Sequence, residues 1–187
     1  GNDGVHDIDL ARWGQGLGER HPSRVCALGG KYFFDDDQQF PDTQTVIFEY
    51  DMDGGGKRQF TYEQRLWAPY VQQGHENGSD FYGTKGSVTF GKARGWEMSV
   101  ERNKPMAQGK CSPDTAGHVR NFLDCIRSGG RPHADVEIHH YSACLAHLGN
   151  IATRLKRTLE FDPNKELFVN DEDANKLVTR EYRKGHW

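Results

Sequence analysis

Thr43 to Tyr50 alternates Val46, Phe48 and Tyr50 with Thr45, Ile47 and Glu49, and Arg58 to Trp67 alternates Phe60, Tyr62, Gln64 and Leu66 with Thr61, Glu63, Arg65 and Trp67. A period of two is the pattern of a strand whose two faces meet different surroundings. Between the two runs, Asp51-Met52-Asp53-Gly54-Gly55-Gly56-Lys57 places glycines where a reversal needs positive φ, so the pair predicts an antiparallel hairpin. Further strands are expected from Arg24 to Phe34, through Phe81-Tyr82, from Val88 to Phe90 after a turn at Thr84-Lys85-Gly86, from Trp96 to Glu101 and from Leu159 to Phe161. The tract from Arg102 to Pro113, with Pro105 and Gly109, reads as a mobile loop, and Ala68 to Ser79, with Tyr70, His75 and Asn77, as an irregular one.

Helical periodicity follows. Asp114 or Thr115 caps a helix whose Val119, Phe122, Leu123 and Ile126 fall at i, i+3, i+4 and i+7, closed by Gly129-Gly130. Asp135 caps a second, with the stripe Tyr141, Leu145, Leu148, Ala152 and Leu155, and a last helix is expected near Asp171 to Arg183. Each long helix is expected to lay its apolar face on a sheet. Hairpin-linked strands followed by helices predict an α+β two-layer sandwich, a large, mostly antiparallel open sheet with helices on one face.

The composition excludes several function classes. A chain of 187 residues can bury a sizeable core, and its net charge of -3 gives no electrostatic ground for a nucleic-acid partner or an anionic membrane surface. No apolar run approaches the roughly 20 residues that cross a bilayer, so a soluble protein is expected, cytoplasmic by default, with any targeting segment lying upstream of Gly1. Cys26, Cys111, Cys125 and Cys144 form no C-x-x-C pair and read as packing thiols. His140, Cys144 and His147 share one helical face, but no fourth ligand declares itself and no metal is expected. Asp35-Asp36-Asp37 lacks the glycine and the bidentate glutamate of a calcium loop, with Phe40 and Val46 standing in those places. No G-x-G-x-x-G occurs in a strand-turn-helix setting, so the chain offers no dinucleotide fold of its own.

Two groups of residues point to chemistry. Thr61, Glu63, Arg65 and Trp67 share one face of their strand, where Glu63 and Arg65 either form a solvated pair or join Trp67 in holding a sugar, the indole on its C–H face and the guanidinium on vicinal hydroxyls. At the other end of the chain, Asn2 or Asp3 can cap an opening helix on which Asn2, His6, Asp9, Leu10 and Trp13 form one strip. His6 near the positive end of the helix dipole tends to stay neutral, either capping the turn or passing a proton in either direction.

The run Gly4-Val5-His6-Asp7-Ile8-Asp9-Leu10-Ala11-Arg12-Trp13 resembles the signature that opens the second domain of the Gfo/Idh/MocA family of NAD(P)-dependent oxidoreductases. Phe81 to Val88 is similar to that family's glycine-turn strand, and Asn121 to Pro132 to its late helix and exit turn, so the likeness spans nearly the whole chain. The resemblance implies a C-terminal substrate-binding and dimerisation domain over residues 1–187, with the Rossmann domain that binds NAD or NADP, and a catalytic lysine, outside this chain. It implies an acid–base role for His6, contact of His140 with substrate hydroxyls, and a sugar or cyclitol secondary alcohol as substrate. It also implies a homo-oligomer formed through the open sheet face, which would be an aggregation hazard if left bare. The family usually has Asp where this chain has Asn2; an amide orients a hydroxyl but cannot take its proton. Two other readings stay open: a branch that uses NAD to cleave a glycoside through a transient ketone, and a non-catalytic carbohydrate-binding or assembly module.

Overall fold

A computed structural model of the chain describes residues 4–91, 95–180 and 185. In chain order the elements are α1 (Gly4–Gly14), β1 (Arg24–Gly30), β2 (Thr43–Asp51), β3 (Lys57–Arg65), β4 (Gly78–Gly83), β5 (Gly86–Gly91), β6 (Gly95–Val100) and β7 (Lys104–Gly109). After them come α2 (Thr115–Ser128), α3 (Val136–Leu155), β8 (Leu159–Asp162), β9 (Leu167–Phe168) and α4 (Glu172–Asn175). The class is α+β, and the strands fall into two open antiparallel sheets, of five and four strands. The backbone divides into two compact units, Gly1–Glu19 with Ala68–Ser142 and Arg20–Trp67 with Ala143–Trp187.

The second unit holds the five-stranded sheet, in the order β3-β2-β1-β8-β9. The glycine hairpin forms as its sequence requires, with Gly54 and Gly55 at φ 82 and 83 and the Met52 amide donating to the Gly56 carbonyl at 2.8 Å. Its alternation becomes an inner face of Val25, Val46, Phe48, Tyr50 and Phe60, all buried, beside the buried Leu145, Leu148, Ile151 and Ala152 of α3. Contact is close because Gly149 has no side chain: a Cβ there would stand 3.0 Å from a Val46 methyl. Gln44 ties the layers, its Nε2 donating to Thr153 Oγ1 at 2.6 Å. Each large side chain so buried contributes roughly 1.5 to 3 kcal/mol.

β1 ends at Gly30 rather than Phe34, and the cause is Asp42. This fully buried carboxylate accepts the backbone N–H groups of Tyr32 at 3.1 Å, Phe33 at 3.0 Å and Phe34 at 2.9 Å, and the Thr43 hydroxyl at 2.8 Å. Amides bent toward one carboxylate cannot also serve a strand ladder. Burial by itself raises the Asp42 pKa, but the converging donors outweigh it and hold the group well below the ordinary carboxylate range. A depressed folded-state pKa stabilises the fold above the unfolded value, about pH 4, and that stabilisation is lost as the pH falls through the folded value. Asp42→Asn is therefore expected to lower the melting temperature at neutral pH, with the gap from wild type narrowing progressively below about pH 4. A gap that stays constant under acid would show that the carboxylate charge is not its source.

The first unit holds the four-stranded sheet, in the order β4-β5-β6-β7. Here the sequence reading is corrected: Lys104–Gly109, expected as a mobile loop, is β7. Pro105 is tolerated because β7 is an edge strand and the register with β6 shifts beside it, between Met98 and Ser99. α1 lies against β4, where Gly14 leaves room for the Phe81 ring, which a Cβ would meet at 2.4 Å. α2 is capped as expected, Asp114 accepting from the Gly117 amide at 2.8 Å and Gly129 taking the left-handed conformation at φ 71. Its apolar stripe is not laid on a sheet, however: Val119, Phe122, Leu123 and Ile126 are 43 to 64% exposed. Periodicity fixes which side of a helix is apolar, not what covers it. The last helix is also shorter than expected, α4 covering four residues behind its Asp171 cap, and 181–183 of the expected span lie outside the described residues.

The described cysteines form no disulfide; Cys26, Cys125 and Cys144 are half-buried, while Cys111 is exposed and so does no packing.

Candidate functional site

α1 turns Ile8, Ala11 and Arg12 inward and leaves His6 and Trp13 exposed, with Asp9 and Leu10 half-buried on the same strip. Asn2 lies outside the described residues. His140 is exposed on the opening turns of α3, its ring edge-on to Tyr141 with centroids 5.8 Å apart.

Both helices meet at a buried arginine that pattern reading passed over. Arg12 is only 3% exposed; its Nη1 donates to Ser142 Oγ at 2.9 Å and its Nη2 to the Gly18 carbonyl at 2.5 Å. The guanidinium stands 5.4 Å from the Tyr141 ring centroid. Ser142, itself 1% exposed, passes the contact on by donating to Asp9 Oδ1 at 2.5 Å, and Asp9 Oδ2 lies 3.7 Å from His139 Nε2. The first unit thus links the helix bearing His6 to the helix segment bearing His140 through a chain of the buried Arg12 and Ser142 and the half-buried Asp9. A signal was available: Arg12 sits one residue after Ala11 and four after Ile8, on the face those residues bury.

In the second unit Arg65 and Trp67 come together around Thr43. Arg65 is the register partner of Thr43, and the Trp67 Nε1 donates to Thr43 Oγ1 at 2.9 Å. Arg65 is ion-paired with Glu63, the solvated pair that its spacing also allowed, and such a pair adds little to stability. Trp67 stacks on Phe33 with centroids 5.5 Å apart and planes 24° from parallel, leaving the indole 38% exposed. No sequence signal marked Phe33 for this role, because the turn that brings it there is set by Asp42.

Chemically, an exposed imidazole on an anchored helix can accept or donate a proton, and an aromatic face beside a guanidinium can hold a polyol. The strand-to-helix junctions among the described residues, 110–114 and 169–171, carry no glycine-rich turn of the kind that cradles a pyrophosphate.

The fold defines an open-sheet α+β domain. Residues 75–187 match the C-terminal alpha/beta domain of the Gfo/Idh/MocA oxidoreductase family, and the chain belongs to that family. The match includes His140, whereas His6, Arg65 and Trp67 precede it. Among solved structures, a putative oxidoreductase, YvaA, from Bacillus subtilis is similar at 15% identity and a TM-score of 0.62, over 85% of this chain and 51% of that one. The aldose-aldose oxidoreductase from Caulobacter crescentus, complexed with glycerol, is similar at 18% identity and a TM-score of 0.58, over 84% of this chain and 46% of that one. The WlbA dehydrogenase from Bordetella pertussis, in complex with NADH and UDP-GlcNAcA, is similar at 16% identity and a TM-score of 0.56, over 86% and 44%. At these identities the likeness is one of fold, and the chain spans about half the length of these structures. A comparison with curated proteins finds no match.

Proposed function

We propose that this chain is the substrate-binding and dimerisation domain of an NAD(P)-dependent oxidoreductase that oxidises a secondary alcohol of a sugar or cyclitol. The observation that carries the reading is the family membership. The exposed His6 on an anchored α1, and the polar and aromatic groups around Thr43, supply the residue types that the reaction needs.

On this reading His6 takes the proton of the substrate hydroxyl, and the nicotinamide, when bound, would supply the hydride acceptor. Asn2 orients the hydroxyl and His140 holds a neighbouring one. On the same reading the nicotinamide is held by a domain outside this chain. The outer face of the five-stranded sheet, with Leu28, Thr45, Thr61 and Glu63 exposed, covers itself against a second copy, Arg65 and Trp67 standing at its β3 edge.

The test uses the full-length protein. Myo-inositol and a panel of aldoses are offered with NAD or NADP, reduced nicotinamide is followed by absorbance, and assembly is followed by sedimentation. Turnover of at least one polyol and a dimer at tens of micromolar, where an interface of standard size is commonly populated, are expected. A monomer with no turnover and no nicotinamide binding would overturn the reading.

A further inference from the structure

We propose that Arg12, Ser142 and Asp9 form a positioning clamp that sets where His6 and His140 stand relative to each other. The inference rests on the acid–base reading of His6 and adds residues to it.

The two histidines ride on different helices, so their separation depends on how α1 is seated against residues 138–142 of α3. Apolar contact alone sets such a seating loosely, since a helix can slide or roll on a smooth face at small cost. A buried polar chain is stricter: its donors and acceptors are satisfied in one arrangement, and each group left unpaired costs about 1 to 3 kcal/mol. Arg12 and Ser142 are buried in this way, and the half-buried Asp9 closes the chain toward solvent. Ser142 Oγ accepts a hydrogen bond from Arg12 Nη1 at 2.9 Å and donates its own hydrogen to Asp9 Oδ1 at 2.5 Å, so one hydroxyl joins a buried cation to a carboxylate. Arg12 has further contacts on both sides, at Gly18 O (2.5 Å) and Ile138 O (3.4 Å), and it stands over the Tyr141 ring. Asp9 follows His6 by one helical turn, and Ser142 lies two residues beyond His140, so a shift at the clamp is a shift at both histidines. Displacement of a catalytic group by about 1 Å can cost on the order of 100-fold in rate.

Ser142 is the point to test, because its hydroxyl bonds both charges and its removal changes little volume. In the full-length protein labelled at the histidine ring carbons, the His6 and His140 signals are assigned with His6→Gln and His140→Gln, and His118 on α2 serves as the control. Ser142→Ala is expected to shift or broaden the His6 and His140 signals and leave His118 unchanged. With myo-inositol as the probe alcohol, kcat should fall about 10- to 100-fold while the KM for NAD stays within about twofold. Ser142→Thr, which keeps the hydroxyl, should restore both readouts, and Asp9→Asn should reproduce the Ser142→Ala pattern if the alanine variant folds poorly. A Ser142→Ala protein that melts lower but keeps its His6 and His140 signals and its kcat would overturn the clamp. If myo-inositol is not oxidised by the wild type, the ring signals decide alone. The two readings separate cleanly: an active His6→Ala protein removes the acid–base role while moved signals still support the clamp, and an inactive His6→Ala with a silent Ser142→Ala removes the clamp alone.

Discussion

His6→Ala in the full-length protein is expected to lower kcat by about 100- to 10,000-fold while nicotinamide binding stays nearly unchanged, the loss typical of a positioned acid–base group. The change should do little else. His6 is exposed on α1, and the residues that seat this helix are Ile8, Ala11 and Arg12 on its other side, so removing the imidazole leaves the packing intact. A loss of rate can then be assigned to the proton and not to the fold, provided the melting temperature is unchanged. His140→Ala is the companion measurement. A side chain that only contacts substrate hydroxyls binds ground state and transition state alike, so its removal should raise KM for the alcohol and spare kcat. Near-normal kcat for His6→Ala in steady-state assays would return His6 to the role of an exposed residue in the first helical turns.

Phe48→Ala is expected to destabilise the protein by about 3 to 5 kcal/mol, a large share of the roughly 5 to 15 kcal/mol by which domains are stable. Phe48 is 1% exposed in the middle of β2, in register with Val25 on one side and Phe60 on the other, and its ring centroid is 5.7 Å from that of Phe60. Both neighbours belong to regular strands that cannot collapse into the space, so most of the cavity should persist. Chemical denaturation should show the midpoint falling with the slope unchanged. A loss below about 1 kcal/mol would mean that the inner face of the sheet is not packed as described.

What could be read from the chain without coordinates was whatever depends on neighbours in sequence. The two-residue alternation of Thr43 to Tyr50 and the glycines at 54 and 55 specify a hairpin, because strand facing and positive φ are local properties, and both strands appear within a residue or two of the expected bounds. The Asp114 cap and the Gly129 stop were legible for the same reason. His6 was legible as a helix-borne histidine, and the resemblance of its surrounding residues indicated the family that residues 75–187 then matched.

Tertiary structure decided what depends on partners distant in the chain. Lys104–Gly109 became a strand only because β6 offers it an edge, which outweighs the loop character of Pro105 and Gly109. β1 stopped early because a carboxylate twelve residues after Gly30 captures the amides that would have continued it. The stripe on α2 was correctly read as apolar, yet no sheet in the described fold covers it, since amphipathicity names a face and not its cover. The residues that seat the candidate catalytic helix, Arg12 and Ser142, are separated by 130 positions, and no local pattern pairs an arginine on one helix with a serine on another. Sequence determined which side chains this protein can bring to a site; long-range hydrogen bonding and burial, which act between segments remote in the chain, decided how they are held.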